Sequence, residues 1–142
     1  MRGRTNTAAP RTERVIALTN QAREAEGLDA LTWNPVLART AQAYAEDMAK
    51  RGFFAHEDPD GRSSGERILA GGYAKPTCRC SWTFGTGENL AQGQDTPEEA
   101  VEDWLASPGH RANILRGDFE DIGVGYFDGH WVQHFGVSKV LP

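Results

Sequence analysis

Apolar residues recur along this chain with two periods, and the change of period divides it. Over residues 11–26, RTERVIALTNQAREAE, Val15, Leu18, Ala22 and Ala25 fall on one face at helical spacing, and Gly27 stops that helix. Asn34-Pro35 opens a second helix as N-cap and first-turn proline. Its apolar stripe is Leu37, Ala41, Tyr44, Ala45 and Met48, and Gly52 ends it. Phe53 to Ser64, FFAHEDPDGRSS, carries Asp-Pro and Asp-Gly breaks and predicts a loop. A short helix follows through Gly65-Glu66-Arg67-Ile68-Leu69, capped by Ser63 or Ser64 and stopped by Gly71-Gly72. Residues 74–87 predict an irregular excursion, and GENLA (87–91) is too short to assign. Thr96-Pro97-Glu98-Glu99 combines a cap, a proline and two acids in one helix start, with Val101, Trp104 and Leu105 on the buried face. Pro108-Gly109 stops that helix. SPGHRANIL (107–115) then predicts a compact turn that lifts His110 at the helix's C-terminal end.

Near the end of the chain the period falls to two. IGVGYF (122–127), Asp128-Gly129 and HWVQHFG (130–136) read as two strands joined by a two-residue turn. His130, Val132 and His134 share one face of the second strand, while Trp131, Gln133 and Phe135 point the other way. Helices followed by a hairpin predict an α+β domain with helices packed on an antiparallel sheet. Residues 1–11 read as a flexible N-terminal segment and 12–142 as one domain.

Bulk properties narrow the function. A chain of 142 residues can bury a core without staples. The net charge of −5, with scattered basic residues, offers no stripe for a phosphate backbone, so nucleic acid is not an expected partner. No apolar run approaches the ~20 residues of a transmembrane helix. MRGRTNTAAP lacks the apolar core of a signal peptide, which fits either a cytoplasmic protein or a processed form. Cys78-Arg79-Cys80 is open to three readings: a reduced pair, an intermolecular bridge, or a soft-metal ligand. A bridge within the pair closes a very small, strained ring. The spacing is shorter than a Cys-x2-Cys zinc arm.

Candidate chemistry centres on histidines and acids. On a strand, His130 and His134 lie about 13 Å apart along the axis, too far to chelate one ion alone. Of the two, His134 is the one expected nearer a site, because His130 abuts the turn. Glu88 is flanked by small and apolar residues, which suits a buried, partnered or functional carboxylate. Glu66 sits where an acid helps a helix start. Ser107, three residues before His110, is explained as a turn residue. His-Glu-x-x-His, Gly-x-Ser-x-Gly and a phosphate-binding glycine loop are all absent.

FFAH (53–56), GENLAQGQ (87–94), WLASPGHRANIL (104–115) and DFEDIGVGYF (118–127) with HWVQHFG, in this order, resemble the bacterial branch of the CAP superfamily, the SCP-like domains. That group includes cysteine-rich secretory proteins, venom antigens and plant pathogenesis-related proteins. The resemblance spans roughly residues 12–137. It implies a three-layer α-β-α sandwich with a central antiparallel sheet, a secreted or extracytoplasmic location, and a cleft formed by His56, Glu66, Glu88, Ser107 and His110. Within that cleft it implies weak binding of zinc or another divalent cation by His56, His110 and Glu88. The acid of the eukaryotic pattern falls at Ser107 here, with Glu66 as its substitute. Lipid, small-molecule and protein ligands are all implied. A metal-assisted or acid/base hydrolase with Glu88 as general base, and a non-catalytic interaction scaffold, are the alternatives.

Overall fold

The computed structural model describes residues 8–73 and 78–141. Helix α1 (Ala8–Ala25) begins three residues earlier than its apolar pattern predicts. Its buried line is Val15, Thr19 and Arg23, whereas Ala25 is exposed. The pattern missed Thr19 and Arg23 because both are polar. Arg23 is satisfied where it lies, donating to the carbonyls of Asp29, Ile114 and Arg116 at 2.8–2.9 Å. Helix α2 (Pro35–Arg51) follows the two-residue strand β1 (Thr32–Trp33) and matches its prediction closely. Asn34 Oδ1 accepts from the Val36 and Leu37 amides, Gly52 adopts φ 70°, and the whole predicted stripe is buried. Helix α3 (Ser64–Ala70) starts at Ser63 with a reciprocal capping box to Glu66.

Strand β2 (Trp82–Gln92) takes over residues 82–87 of the expected excursion and takes in GENLA, while 78–81 are irregular as expected. Its period was hidden because glycine and polar residues occupy both faces at Gly85, Thr86, Gly87 and Glu88. Residues 74–77 of the expected excursion lie outside the described residues, as do residues 1–7. Helix α4 (Pro97–Ala106) ends at Ser107, but the following stretch is no turn. Pro108 occupies the first position of a new helix, α5 (Pro108–Ile114), and is tolerated there because that amide has no helical partner in any case. His110 therefore lies in the first turn of α5, and not at a helix C-terminus. Strands β3 (Asp121–Phe127) and β4 (His130–Val140) form the predicted hairpin, with Asp128 and Gly129 both at positive φ.

The sheet order is β1-β3-β4-β2. β2, β4 and β3 are antiparallel as expected, while the edge pair β1–β3 is parallel. Helices α1, α4 and α5 cover the face that carries Trp131, Phe135, Ile122 and Val124. Helix α2 covers the other face and packs on Val132 and Leu90. At Gly123 and Gly125 any Cβ would overlap the α2 backbone at Leu37–Ala38 and Ala41–Gln42. The GVG pattern thus sets how closely α2 lies on the sheet. The result is the three-layer sandwich that the resemblance implies.

Candidate functional site

Antiparallel register places Glu88 of β2 directly opposite His134 of β4, on the face covered by α2 and α3. The Glu88 side chain is 1% exposed. His134 Nε2 donates to Glu88 Oε2 at 2.8 Å, and Arg67 Nη1 donates to the same oxygen at 3.1 Å. Glu88 Oε1 pairs with His56 Nδ1 at 2.9 Å. Arg67, delivered by α3, also donates to the His56 carbonyl at 2.6 Å and lies over the Tyr44 ring, 3.3 Å from its centroid. Thr40 Oγ1 of α2 meets His134 Nδ1 at 2.8 Å.

These contacts set the charge states. Burial alone would raise the Glu88 pKa, but hydrogen bonds from His134, His56 and Arg67 outweigh it and hold it at about 2. His134 is fully buried, and burial pushes its pKa down despite Glu88. A neutral ring with its proton on Nε2 satisfies both contacts: it donates to Glu88 and accepts from the Thr40 hydroxyl. The hydrogen bond to Glu88 raises the pKa of His56, whose side chain is 61% exposed.

His110 reaches the same region from the opposite layer. Asn89 follows Glu88 and so faces α5. Its Nδ2 donates to the His110 carbonyl at 3.1 Å and to Gln133 Oε1 at 3.0 Å, and its Oδ1 accepts from Asn113 Nδ2 at 2.9 Å. Gln133 Nε2 donates in turn to Thr19 Oγ1 at 2.8 Å. Arg23 holds the far end of α5. Ser107 precedes α5 yet makes no side-chain cap bond. Its Oγ lies 2.9 Å from His110 Nδ1 instead. Burial lowers the His110 pKa, and the charge of nearby His56 lowers it further. His56 and His110 thus flank the β2 edge, one bonded to Glu88 and the other carried by the α5 turn that Asn89 holds.

Of the residues expected in the cleft, His56 bonds Glu88 and Ser107 bonds His110, and the adjacent β2 residues Glu88 and Asn89 link the two pairs. Glu66 stands apart: its Oε1 accepts from the Ser63 amide at 2.9 Å and the residue is exposed. It does not replace the acid missing at Ser107, and the neighbouring Arg67 enters the cluster instead. Arg67, Thr40, Asn89 and Gln133 escaped the sequence reading. The β2–β4 register was the missing signal, since it pairs Glu88 with His134 and Asn89 with Gln133.

The expected set of His56, Glu88 and His110 is not assembled as a group of metal ligands. Both Glu88 oxygens are engaged by protein donors, and no group of three or more His, Cys, Asp or Glu side chains is arranged to hold an ion among the described residues. With both Nδ1 atoms occupied, His56 Nε2 and His110 Nε2 are the atoms left to face a ligand. Grooves of about 640 Å³ between α2 and α3 and about 800 Å³ between α1 and α2 are lined by neither histidine.

A family model for CAP, the cysteine-rich secretory protein family, matches residues 16–135. The YkwD protein of Bacillus subtilis (strain 168) is 37% identical over 138 residues, 92% of this chain and 51% of YkwD. An extracellular protein containing an SCP domain from Bacillus anthracis str. Ames has a TM-score of 0.79 at 29% identity, over 90% of this chain and 40% of that one. An outer surface protein from Borrelia burgdorferi shares the fold, with a TM-score of 0.76 at 23% identity over 89% of this chain and 92% of its own. The chain therefore spans about half the length of YkwD. With the sandwich, the order of motifs and the family match in agreement, the chain belongs to the CAP family.

Proposed function

We propose that this chain is an extracytoplasmic binding domain in which His56 and His110 present their Nε2 atoms to a divalent cation such as zinc. The observation that carries this reading is the saturated, buried Glu88 carboxylate, which fixes the His56 ring through Nδ1. A carboxylate behind an imidazole orients a metal-ligating histidine and raises its basicity. Ser107 does the same for His110 from a neutral side chain. Glu88 thus acts as an orienting anion and not as a direct ligand. Two imidazoles leave the remaining positions of an ion to water or an incoming ligand, so affinity is modest. The bound ion would act as a Lewis acid toward that ligand.

The hydrolase reading finds less support. A general base works best with a pKa near the working pH, and Glu88 is held at about 2 with both oxygens engaged. The extracellular and surface locations of the Bacillus anthracis and Borrelia proteins support a place outside the cytoplasm.

Isothermal titration of zinc into the wild type, His56→Ala and His110→Ala tests the reading. A binding heat in the wild type that either substitution removes is the expected result. Indistinguishable heats in all three proteins overturn it.

A further inference from the structure

The chain's two cysteines form a bridge, Cys78–Cys80, with Cα atoms 5.3 Å apart and one residue between them. This replaces the reduced, intermolecular and metal-bound readings of the pair. The bridge joins no two elements: both cysteines sit in the approach to β2, after α3. A disulfide stabilises mainly by closing a long loop in the unfolded chain, and this one closes nearly the shortest loop available. The main buried cluster, which includes Trp104, Phe119, Trp131 and Phe135, contains neither cysteine. A structural role therefore leaves the bridge unexplained.

Its surroundings suit chemistry. Cys78 and Arg79 are exposed and Cys80 is half-buried, so an attacking thiolate can reach the sulfurs. A ring that spans a single residue favours opening. Arg79 stands between the two cysteines in sequence, and a neighbouring cation favours the thiolate over the thiol. Both features stabilise the reduced form relative to the oxidised one, which makes a disulfide a stronger oxidant. We propose that Cys78–Cys80 is a thiol–disulfide exchange site that oxidises an accessible dithiol. The first thiolate of the dithiol bonds to Cys78 Sγ, the Cys78–Cys80 bond breaks, and its electron pair leaves on Cys80 Sγ. The second thiolate then attacks the substrate sulfur of the mixed disulfide and expels Cys78 as thiolate. The substrate loses two electrons and becomes a disulfide. The chain gains them as a dithiol, and the two substrate protons pass to the cysteines or to water. The cleft at His56 and His110 takes no part.

The test equilibrates the oxidised chain with reduced thioredoxin under anaerobic conditions and reads both partners by alkylation and mass spectrometry. The expected equilibrium constant favours the reduced chain by about 100-fold. A constant of about ten or less overturns the proposal. In parallel, the double variant Cys78→Ser/Cys80→Ser is melted beside the oxidised wild type. An unchanged melting temperature is expected, and a fall of several degrees identifies a structural staple and overturns the proposal.

Discussion

Glu88 and Asn89 are neighbours in β2, face opposite sides of the sheet, and each meets its cross-strand partner, His134 or Gln133. Around Glu88 the polar groups are charged, and the cluster opens to solvent through His56. Around Asn89 they are neutral amides and a hydroxyl, closed under α1 and α5. The two networks do different work. The charged one stores an orienting carboxylate behind an exposed imidazole. The neutral one holds the α5 backbone at His110 and has nothing to titrate. A buried charge needs its whole set of partners, whereas a buried amide network loses only local hydrogen bonds when one member is removed.

The largest effect should come from breaking the charged side. Glu88→Ala leaves the Arg67 guanidinium buried without its carboxylate and should cost about 3–5 kcal/mol, read by urea unfolding at neutral pH. A cost below about 1 kcal/mol would mean that the cluster behaves like an exposed ion pair.

Acid titration should come next and should act on one side only. Glu88 is held at about 2 against an ordinary 4.5, so the unfolded chain takes up that proton first. Its stabilisation is present above pH 4.5 and fades as the pH falls toward 2, a loss of the order of 3 kcal/mol. His134 is held below its ordinary 6.5, so the unfolded chain again protonates first and stability declines from about that pH downward. His56 has the opposite sign: its pKa is raised above 6.5, and its stabilisation is lost as the pH rises through the folded value. Exposure keeps that contribution small. Melting temperature against pH should show both acid declines in the wild type, and Glu88→Gln should lack the lower one.

Asn89→Ala should cost about 1–3 kcal/mol through the unpaired His110 carbonyl and Gln133 amide oxygen. Its deficit should stay constant from about pH 4 to 8, and a deficit that grows on acidification would show the two networks to be coupled. Ser107→Ala should have the smallest effect on stability, below about 1 kcal/mol, because Ser107 makes no cap bond. The same variant should weaken zinc binding by about tenfold, since it frees the His110 ring. Equal zinc affinity would remove Ser107 as a positioning residue.

Legibility in the sequence followed how local each feature is. The α2 stripe with its caps, the Thr96-Pro97 helix start and the Asp128-Gly129 turn are short-range patterns, and all appear in the structure as read. β2 escaped because its glycines make room for neighbours: a Cβ at Gly87 would sit 2.9 Å from the Phe119 ring. The buried Arg23 and Arg67 escaped because burial of a cation depends on acceptors far away in the chain.

The sequence by itself determined helices α1 to α4, the hairpin, the family and the residue types available for a cleft. Tertiary structure alone decided which of them meet, because Glu88 reaches His56 and His134, 32 and 46 residues away, only once the chain folds back on β2. Folding surrounds Glu88 with His134 from β4, His56 from the loop and Arg67 from α3, and places Glu66 on its cap at Ser63. A carboxylate's role depends on which donors surround it, and those donors are assembled by the sheet.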